Sequence, residues 1–530
     1  MSEGLYTLSE SACIEPLVGR WHAWPHNLAP VPQSLHLVNY QLKVLQSYLG
    51  SPAQHEQACK SPRFLGGPFV NIPARESEKL RDLLETTLRT QQDSIDFAEA
   101  LNGLGQALQQ EANGESLEDR YEGLPAPLRG HVELIYDYFN HPIVRCLEGR
   151  LYKSRYYKPE LQSLRLFDLL EDERPYYAST PRLKDAQSID WEVAFADPSI
   201  DEFFRLDFEP APREAIRELL GVPGRGNGAL SPLLKESDEK ADPKWRGEGV
   251  RIRYFGHACA LFETKDVAIL LDPLVAGVPR QAHVERFSYA DLPRHIDFAL
   301  ISHGHHDHFV VETLLRLRRR IGALVVPKNS DAFYADFSLR LLGQHLGFKN
   351  VIEVDCYDEI PFEGGKITAA PFLGEHNNLP GAKSAYFIEA GGKSALFAAD
   401  SNCLDTAIYD PIREAVGGVD ALFVGMECIG APLAWNYGPM LPLKPERRVN
   451  ESRRSNACNA ERALHLAQAV KCGRGFVYAV GREPWIKHIL ALNPSDSDPY
   501  MVEINKFVAS AKATMQVDVK LLFGKSEIFL

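Results

Sequence analysis

The chain has 530 residues and a formal net charge of −13; 45% of its residues are apolar and 24% are charged. This balance is typical of a folded protein, and it excludes a chain that is disordered, collagen-like or a disulfide scaffold as a whole. At roughly 100–200 residues per domain, the length predicts more than one domain. The acidic charge disfavours nucleic acid and anionic membranes as partners.

The cysteines and the start of the chain bear on where the protein works. The nine cysteines are scattered and form no CxxC pair, which is typical of reduced thiols. The first residues contain no secretory signal, and no apolar run approaches the roughly 18 residues that a membrane span needs. We therefore expect a cytoplasmic protein without a membrane partner.

The first half of the chain has mainly helical patterns. Apolar residues recur at spacings of three and four in residues 34–49, 77–110 and 128–139, and each stretch predicts a helix. Residues 188–196 predict a short extended piece. Residues 221–248 are rich in Gly, Pro and charge, which is typical of a linker. We predict a mainly helical (α+β) N-terminal domain over residues 1–245.

The second half of the chain alternates between strand and helix patterns. β-Branched and aromatic runs predict strands within residues 250–264, 266–275 and 296–302, and a helix follows at 310–322. Further strand patterns continue as far as residue 426. This order predicts a layered α/β domain with helices outside the sheets, over residues 246–530.

One motif carries the chemistry of this second domain. The segment IDFALISHGHHDHF contains His303, His305, Asp307 and His308 in the order H-x-H-x-D-H, on a loop between a buried strand and a helix. Three histidines and a carboxylate on one tight loop predict metal binding, and such a loop can serve two metals about 3.5–4 Å apart. His306 occupies an intervening position, and we expect it to point away from the metals.

A two-metal site needs further ligands from later in the chain. Glu375 and His376 are adjacent after a predicted strand, and either can take the next ligand position. Asp400 follows another apolar strand, where its carboxylate can bridge both metals. His488 is either a last ligand or a histidine packed on a helix.

These residues resemble the metallo-β-lactamase fold superfamily. The resemblance rests on residues 303–308, on GHACALFET at 256–264, on LLDPL at 270–274 and on Asp400. It implies an αββα sandwich. The superfamily usually has a histidine where this chain offers Glu375 beside His376. If Glu375 binds, the added carboxylate favours iron or manganese over zinc.

That variation, together with the large N-terminal region, resembles a narrower family, the diiron β-hydroxylases of nonribosomal peptide pathways. The resemblance implies six ligands to two iron ions: His303, His305, Asp307, His308, Glu375 and Asp400. It further implies an O₂-dependent monooxygenase that hydroxylates the β-carbon of an amino acid tethered as a thioester to a peptidyl carrier domain. The N-terminal domain would then serve dimerisation and substrate capture, giving a homodimer.

The resemblance leaves other functions open. The sequence has no nucleotide or flavin motif, so we expect the two electrons to come from a separate protein such as a ferredoxin. The alternative is a dizinc (Zn²⁺) hydrolase of a thioester, lactone or phosphoester, which applies if His376 rather than Glu375 faces the metals. A scaffold that has lost its metals is a further hypothesis, although the full set of ligands argues against it.

Two basic clusters and one aromatic cluster are candidates for contacts with substrate and carrier. Carrier domains are usually acidic, so a basic patch can dock one. The first patch consists of Arg447, Arg448, Arg453 and Arg454, and the second of Arg316, Arg318, Arg319 and Arg320. Trp435, Asn436 and Tyr437 are candidates for the mouth of the substrate pocket.

Overall fold

The computed structural model of the chain describes residues 4–222, 228–237, 240–330, 333–376, 381–492 and 494–530, without the side chain of Asn436. Parts of the predicted linker, residues 223–227 and 238–239, thus lie outside the described residues. Among the described residues, no helix is both long and apolar enough to cross a membrane.

The C-terminal half forms two seven-stranded sheets, because its strands are apolar on the faces that meet. The first sheet has the order β15-β14-β13-β12-β11-β10-β23 and the second has the order β16-β17-β18-β19-β20-β21-β22. The strands are β10 (Arg251–Gly256), β11 (Cys259–Glu263), β12 (Ala268–Leu271), β13 (Ile296–Leu300), β14 (Ile321–Pro327), β15 (Val351–Val354), β16 (Glu359–Phe362), β17 (Gly365–Ala370), β18 (Ala385–Ala390), β19 (Lys393–Phe397), β20 (Ala421–Gly425), β21 (Arg474–Tyr478), β22 (Asp518–Leu521) and β23 (Ser526–Phe529).

Each sheet is antiparallel in one half and parallel in the other. In the first sheet, β12 to β15 run parallel, and in the second, β19 to β22 do. Large buried side chains such as Phe262, Tyr386 and Phe423 fill the space between the two sheets. The parallel strands end at a common edge, where loops can bring polar side chains together.

Helices cover the outer faces of both sheets. They are α9 (Val311–Leu317), α10 (Leu339–His345), α11 (Asp410–Val416), α12 (Leu433–Tyr437), α13 (Arg447–Ser452), α14 (Ala460–Ala469), α15 (Lys487–Leu490) and α16 (Pro499–Met515). Leu466, Ile504 and Phe507, from α14 and α16, are buried in one cluster with Leu422 of β20. The arrangement is the predicted αββα sandwich.

The N-terminal region combines helices with three small sheets. Its helices are α1 (Pro30–His36), α2 (Leu42–Gly50), α3 (Pro52–Cys59), α4 (Ser77–Thr90), α5 (Gln92–Glu111), α6 (Glu148–Leu151), α7 (Ser199–Phe204) and α8 (Arg213–Leu220). Its strands are β1 (Leu5–Leu8), β2 (Ala12–Val18), β3 (Trp21–His22), β4 (Val132–Tyr136), β5 (Pro142–Cys146), β6 (Gln162–Asp168), β7 (Ser188–Trp191), β8 (Ala211–Pro212) and β9 (Leu234–Glu236). A π-helical turn, Leu37–Gln41, joins α1 to α2. The predicted helical character is confirmed.

One predicted helix is wrong. Residues 128–139 contain the first strand and the start of the turn of a β-hairpin, in which β4 pairs antiparallel with β5. Val132 and Leu134 are buried on one face of β4, so the apolar residues alternate with the period of a strand. Asp137 caps the turn by accepting hydrogen bonds from the backbone N–H groups of Phe139 and His141, while Asn140 adopts a left-handed φ of 61°. The β-branched residues and this turn chemistry outweigh the helical spacing.

The N-terminal region packs directly on α9, and this contact overturns one prediction. Arg316 donates to Asp207 over 2.7 Å and Arg318 donates to Asp201 over 2.9 Å, both across the two regions. Arg320 donates to backbone carbonyl oxygens, including that of Pro293 at 2.7 Å. These three side chains are buried, and only Arg319 is partly exposed. The predicted docking patch at 316–320 is therefore wrong: Arg316 and Arg318 hold the two regions together, and Arg320 is buried within the C-terminal half.

Candidate metal centre

The polar side chains of the site lie where strands of both sheets end. Asp272 follows β12, the H-x-H-x-D-H loop follows β13, and Asp400 follows β19. His257 sits in the tight turn between β10 and β11, with a left-handed φ of 51°, and Asp272 has a φ of 39°. Non-glycine residues rarely adopt such backbone, and it concentrates at functional sites. Sharp turns at one edge of the sandwich therefore bring ligands together from distant parts of the sequence.

The histidines of the loop converge with Asp400. His303 Nε2 lies 3.1 Å from His305 Nδ1, and His308 Nε2 lies 3.1 Å from Asp400 Oδ2. The same carboxylate oxygen is 3.4 Å from His376 Nε2. Three groups of possible ligand atoms result, and the atoms of each group lie within 4.8 Å of one another. The groups are His303, His305 and His376; His303, His308 and Asp400; and His257, Asp307 and His308.

A second layer of hydrogen bonds orients these ligands. Asp272 accepts from the Ser302 backbone N–H and hydroxyl, both over 2.7 Å, and its Oδ2 lies 2.9 Å from His308 Nδ1. His257 Nε2 lies 2.9 Å from Asp307 Oδ2. Such partners set ring orientation and raise the basicity of a ligand.

The buried environment puts His303, His305 and Asp400 into binding-competent protonation states. Burial, followed by the neighbouring His308, holds the pKa of His303 well below its ordinary value, so this imidazole is neutral. Burial, followed by His376, does the same for His305. For Asp400, burial acts to raise the pKa, but the nearby His308 outweighs it and holds the pKa well below the usual range. Neutral imidazoles and charged carboxylates are the forms that bind metal.

The pKa values of His308 and Glu427 are raised instead of lowered. Burial acts to lower the pKa of His308, but Asp400, Asp307 and Asp272 raise it well above the ordinary value. Burial, and then Asp400 and Asp307, raise the pKa of Glu427 to about 8. The cluster thus concentrates negative charge, which a pair of divalent cations would neutralise.

The residues present fit a metal pair. Asp400 Oδ1 and His376 Nδ1 are buried, and neither atom has a hydrogen-bond partner within the described part of the chain. A buried polar atom without a partner costs about 1–3 kcal/mol, so such atoms call for a ligand. Imidazole nitrogen and carboxylate oxygen suit both iron and zinc, so the donor set alone does not choose between them.

Five of the six predicted ligands lie in these groups, and Glu375 does not. Its side chain is 46% exposed and accepts hydrogen bonds from Arg453 Nη2 at 2.8 Å and Nε at 3.0 Å. The adjacent His376 is buried and faces Asp400 instead. That Glu375 is a ligand stays a prediction.

The other histidines lie outside the cluster. His306 stacks on Tyr177 of the N-terminal region, with ring centroids 4.5 Å apart, and points away from the ligands. His488 is buried with its ring 6.3 Å from that of His22, and burial holds its pKa well below the ordinary value. In the described residues His488 belongs to none of the ligand groups, so the geometry favours the packed-histidine interpretation.

Several residues of the site were not singled out from the sequence. His257 and Asp272 lie within the quoted GHACALFET and LLDPL segments, and the available signal was their position at strand ends. Tyr437 was singled out, but for the pocket mouth and not for this position: it is buried and its hydroxyl lies 2.9 Å from His305 Nε2. Glu427, after β20, carried no motif at all.

A cavity of about 300 Å³ opens over the cluster. His305, Asp307 and Asp400 contribute to its lining, and Trp435 lies at its exposed side with 43% of its surface accessible. Leu65, from the N-terminal region, completes the wall. Trp435 is therefore placed at the mouth as predicted, while the side chain of Asn436 lies outside the described part of the chain.

Comparisons with known proteins agree with this geometry. Residues 7–237 match the family described as "Diiron non-heme beta-hydroxylase N-terminal domain", and residues 268–471 match "Beta-lactamase superfamily domain". The chain is 32% identical over 515 residues to the 4-amino-L-phenylalanyl-[CmlP-peptidyl-carrier-protein] 3-hydroxylase of Streptomyces venezuelae, covering 95% of this chain and 96% of that protein.

A solved structure extends the likeness to the whole fold. The crystal structure of CmlA, a diiron β-hydroxylase from Streptomyces venezuelae, superimposes with a TM-score of 0.90 at 30% identity, covering 100% of both chains. A metal-dependent hydrolase of Methanopyrus kandleri is 32% identical over only 122 residues, 23% of this chain and 46% of that protein. The likeness to the hydroxylase thus includes the N-terminal region, and the chain belongs to the family of diiron non-haem β-hydroxylases, enzymes that carry a metallo-β-lactamase domain.

Proposed function

We propose that this enzyme hydroxylates the β-carbon of an amino acid held as a thioester on a peptidyl carrier domain. The reaction inserts one atom of O₂ into a C–H bond, and two electrons and two protons reduce the other atom to water. The similarity over 96% of a relative whose name specifies a carrier-bound substrate supports the proposal. The observation that carries it is the buried His/Asp cluster beneath a cavity with walls from both halves of the chain.

Each part of the site has a role in this reaction. Two iron ions supply the O₂ chemistry when bound. We propose His303, His305, Asp307, His308 and Asp400 as their ligands, with Glu375 as the sixth. The Arg453–Glu375 pair is half-exposed, so its loss costs only about 0–1 kcal/mol. Glu375 can therefore exchange Arg453 for a metal at little cost.

The surroundings of the cavity suit a tethered substrate. Leu65, Ile429 and Trp435 line the cavity and are each more than a third exposed, so they can pack against the arm that carries the thioester. Arg447 and Arg448 lie exposed on the first turn of α13 and can meet an acidic carrier. We further propose a separate electron donor such as a ferredoxin, and a homodimer formed through the N-terminal region.

The test uses anaerobically reduced protein, an aminoacyl carrier and ¹⁸O₂. We expect the carrier to gain one labelled oxygen atom in intact-mass spectra, and two irons per chain by metal analysis. His303→Ala should abolish both, whereas His295→Ala, at a mostly exposed histidine, should change neither.

One observation favours a second candidate function, that of a dizinc hydrolase. His376 is buried against His303, His305 and Asp400, the arrangement expected of the dizinc hydrolase. Two zincs per chain, with release of the free amino acid and a bare carrier thiol, would establish that reaction and refute hydroxylation.

A further inference from the structure

A second cavity lies in the N-terminal region, and its lining is positively charged. Its volume is about 590 Å³, within the range of roughly 300–1,000 Å³ that small-ligand sites have. Its polar lining comes from His131, Arg150, Lys153, Ser154 and Arg155, and no Asp or Glu lines it among the described residues. The chain as a whole has a net charge of −13, so a cavity lined by cations without acids is a local exception.

The cations belong to a segment, residues 149–158, that buried side chains hold in place. Leu151, Tyr152 and Tyr156 are each at most 5% exposed. Tyr152 also stacks on His345 of α10, with ring centroids 4.1 Å apart. The basic side chains alternate with these anchors along the chain and are exposed. Because the backbone is already fixed, binding a ligand here costs little additional ordering.

Two of the cations are without a partner. Within the described part of the chain, Arg150 and Lys153 form no ion pair and no side-chain hydrogen bond. Arg155 Nε lies 3.3 Å from Asp93 Oδ1, but the two side chains are 63% and 41% exposed. Exposed pairs of this kind are weak, so Arg155 remains available to a ligand.

The positive charges approach one another around His131. A Cβ added at Gly130 would lie 3.6 Å from Arg150 Nη2, so this guanidinium lies beside the residue that precedes His131. Burial, and then Arg150 and Arg155, lower the pKa of His131, which places both guanidinium charges near the same neutral ring. Like charges repel one another, and an anion bound between them would remove this repulsion.

The chemistry of the lining favours a phosphate group. Guanidinium groups bind phosphate through two parallel hydrogen bonds, and an ammonium group adds a point charge. A phosphate group carries up to two negative charges, which Arg150 and Lys153 can neutralise together. Nucleic acid is disfavoured, because Tyr152 and Tyr156 are buried and offer no ring on which a base could stack.

From these observations we propose that this cavity binds a phosphate group, either as the free ion or as the ester of a small organic molecule. The cavity is large enough to hold an organic group beside the phosphate. The proposal does not depend on the proposed hydroxylation, because this cavity shares no lining residue with the one over the metals.

Calorimetric titration of the purified, metal-loaded protein tests the site. The probes are inorganic phosphate, ribose 5-phosphate and ribose. We expect both phosphate probes to bind and ribose not to bind. Ribose 5-phosphate that binds at least about tenfold more tightly than inorganic phosphate would identify an ester as the ligand, and equal binding would identify the free ion. Failure of both phosphate probes to bind would overturn the proposal.

Variants locate the binding in the cavity. Arg150→Ala and Lys153→Ala should each weaken phosphate binding about tenfold or more, the effect of one lost charge-assisted hydrogen bond. Arg150→Lys should retain part of the affinity, because it keeps the charge and loses the planar fork. Arg89→Ala, the same truncation at an exposed arginine of α4, is the matched control and should leave binding unchanged.

A last comparison separates the cavity from the metal centre, because phosphate can also bind metal ions directly. The same titrations are made with His303→Ala, which should lack the metals. Phosphate binding that persists in His303→Ala and is weakened in Arg150→Ala would support the cavity. Phosphate binding that is lost in His303→Ala and unchanged in Arg150→Ala would assign the anion to the metals and overturn the proposal.

Discussion

Glu15 is the centre of a buried ion network that links the two halves of the enzyme. Arg182 donates to its carboxylate from Nε (2.9 Å) and Nη2 (2.8 Å), and Arg174 donates from Nη2 (3.0 Å). Arg174 also reaches Glu312 of α9 at 2.9 Å. Glu15→Gln leaves Arg182, which is 2% exposed, without its counter-charge. Breaking a buried pair in this way costs about 3–5 kcal/mol.

This cost should be visible as a lower unfolding temperature. At about 2–4 °C per kcal/mol for a unit of 150–250 residues, we expect the transition of the N-terminal region to fall by about 6–20 °C at pH 7. Differential scanning calorimetry measures it. The control is Glu192→Gln, which breaks an exposed pair with Lys184 and should cost at most about 1 kcal/mol.

The effect should depend on pH with a defined sign. Burial acts to raise the pKa of Glu15, but Arg182 and Arg174 outweigh it and hold the pKa well below the usual range. A carboxylate with a depressed folded pKa stabilises the protein above its unfolded pKa of about 4.3, and this contribution is lost as the pH falls further. The gap between wild type and Glu15→Gln should be full at pH 7 and shrink below about pH 4. A gap that is absent at pH 7, or that widens in acid, would refute the reasoning.

Four further outcomes are expected. Asp400→Ala should lose both metals by elemental analysis, because its carboxylate lies near ligand atoms of two groups; retained metal would exclude it as a bridge. Glu375→Ala should weaken iron binding by about tenfold or more if its carboxylate is a ligand, as proposed, while His376→Ala retains iron; the reverse result would assign the position to His376. Tyr437→Phe removes the hydroxyl beside His305 and should destabilise the protein by about 0.5–1.5 kcal/mol in thermal melts, and an unchanged melt would show that the contact is unimportant. Substitution of both Arg447 and Arg448 by Glu should weaken carrier binding in surface plasmon resonance and leave the iron content unchanged; unaltered binding would exclude this patch as the docking site.

The local chemistry of the site was predictable because it is concentrated in a short stretch of chain. His303, His305, Asp307 and His308 lie within six residues, so any fold that places a strand before them and a helix after them brings them together. Strand patterns of β-branched and aromatic residues likewise predict the layered α/β domain, and the family resemblance implies that its layers form a sandwich. The strand at 132–136 was missed because its apolar spacing suits both periods, and the turn that follows, with Asn140 in the left-handed region, decides between them.

The remaining features depend on contacts between distant residues. The arginines at 316, 318, 319 and 320 are typical of a charged surface in the sequence. In the fold, however, Arg316 donates a buried hydrogen bond to Asp207, 109 positions away along the chain. His257 comes next to Asp307 across 50 positions, through the order of the strands.

By itself, the sequence determined the layered α/β order of the C-terminal domain and the metal loop, because periodicity and a short ligand motif are local properties of the chain; the resemblance to known families supplied the αββα sandwich and the family. Only the tertiary structure placed His376 against Asp400 and Glu375 beside Arg453, since adjacent residues at a strand end project in different directions and sequence order does not decide which faces inward. It also assembled the cavity over the metal cluster, because residues as far apart as Leu65 and Trp435 meet only when the two halves pack together.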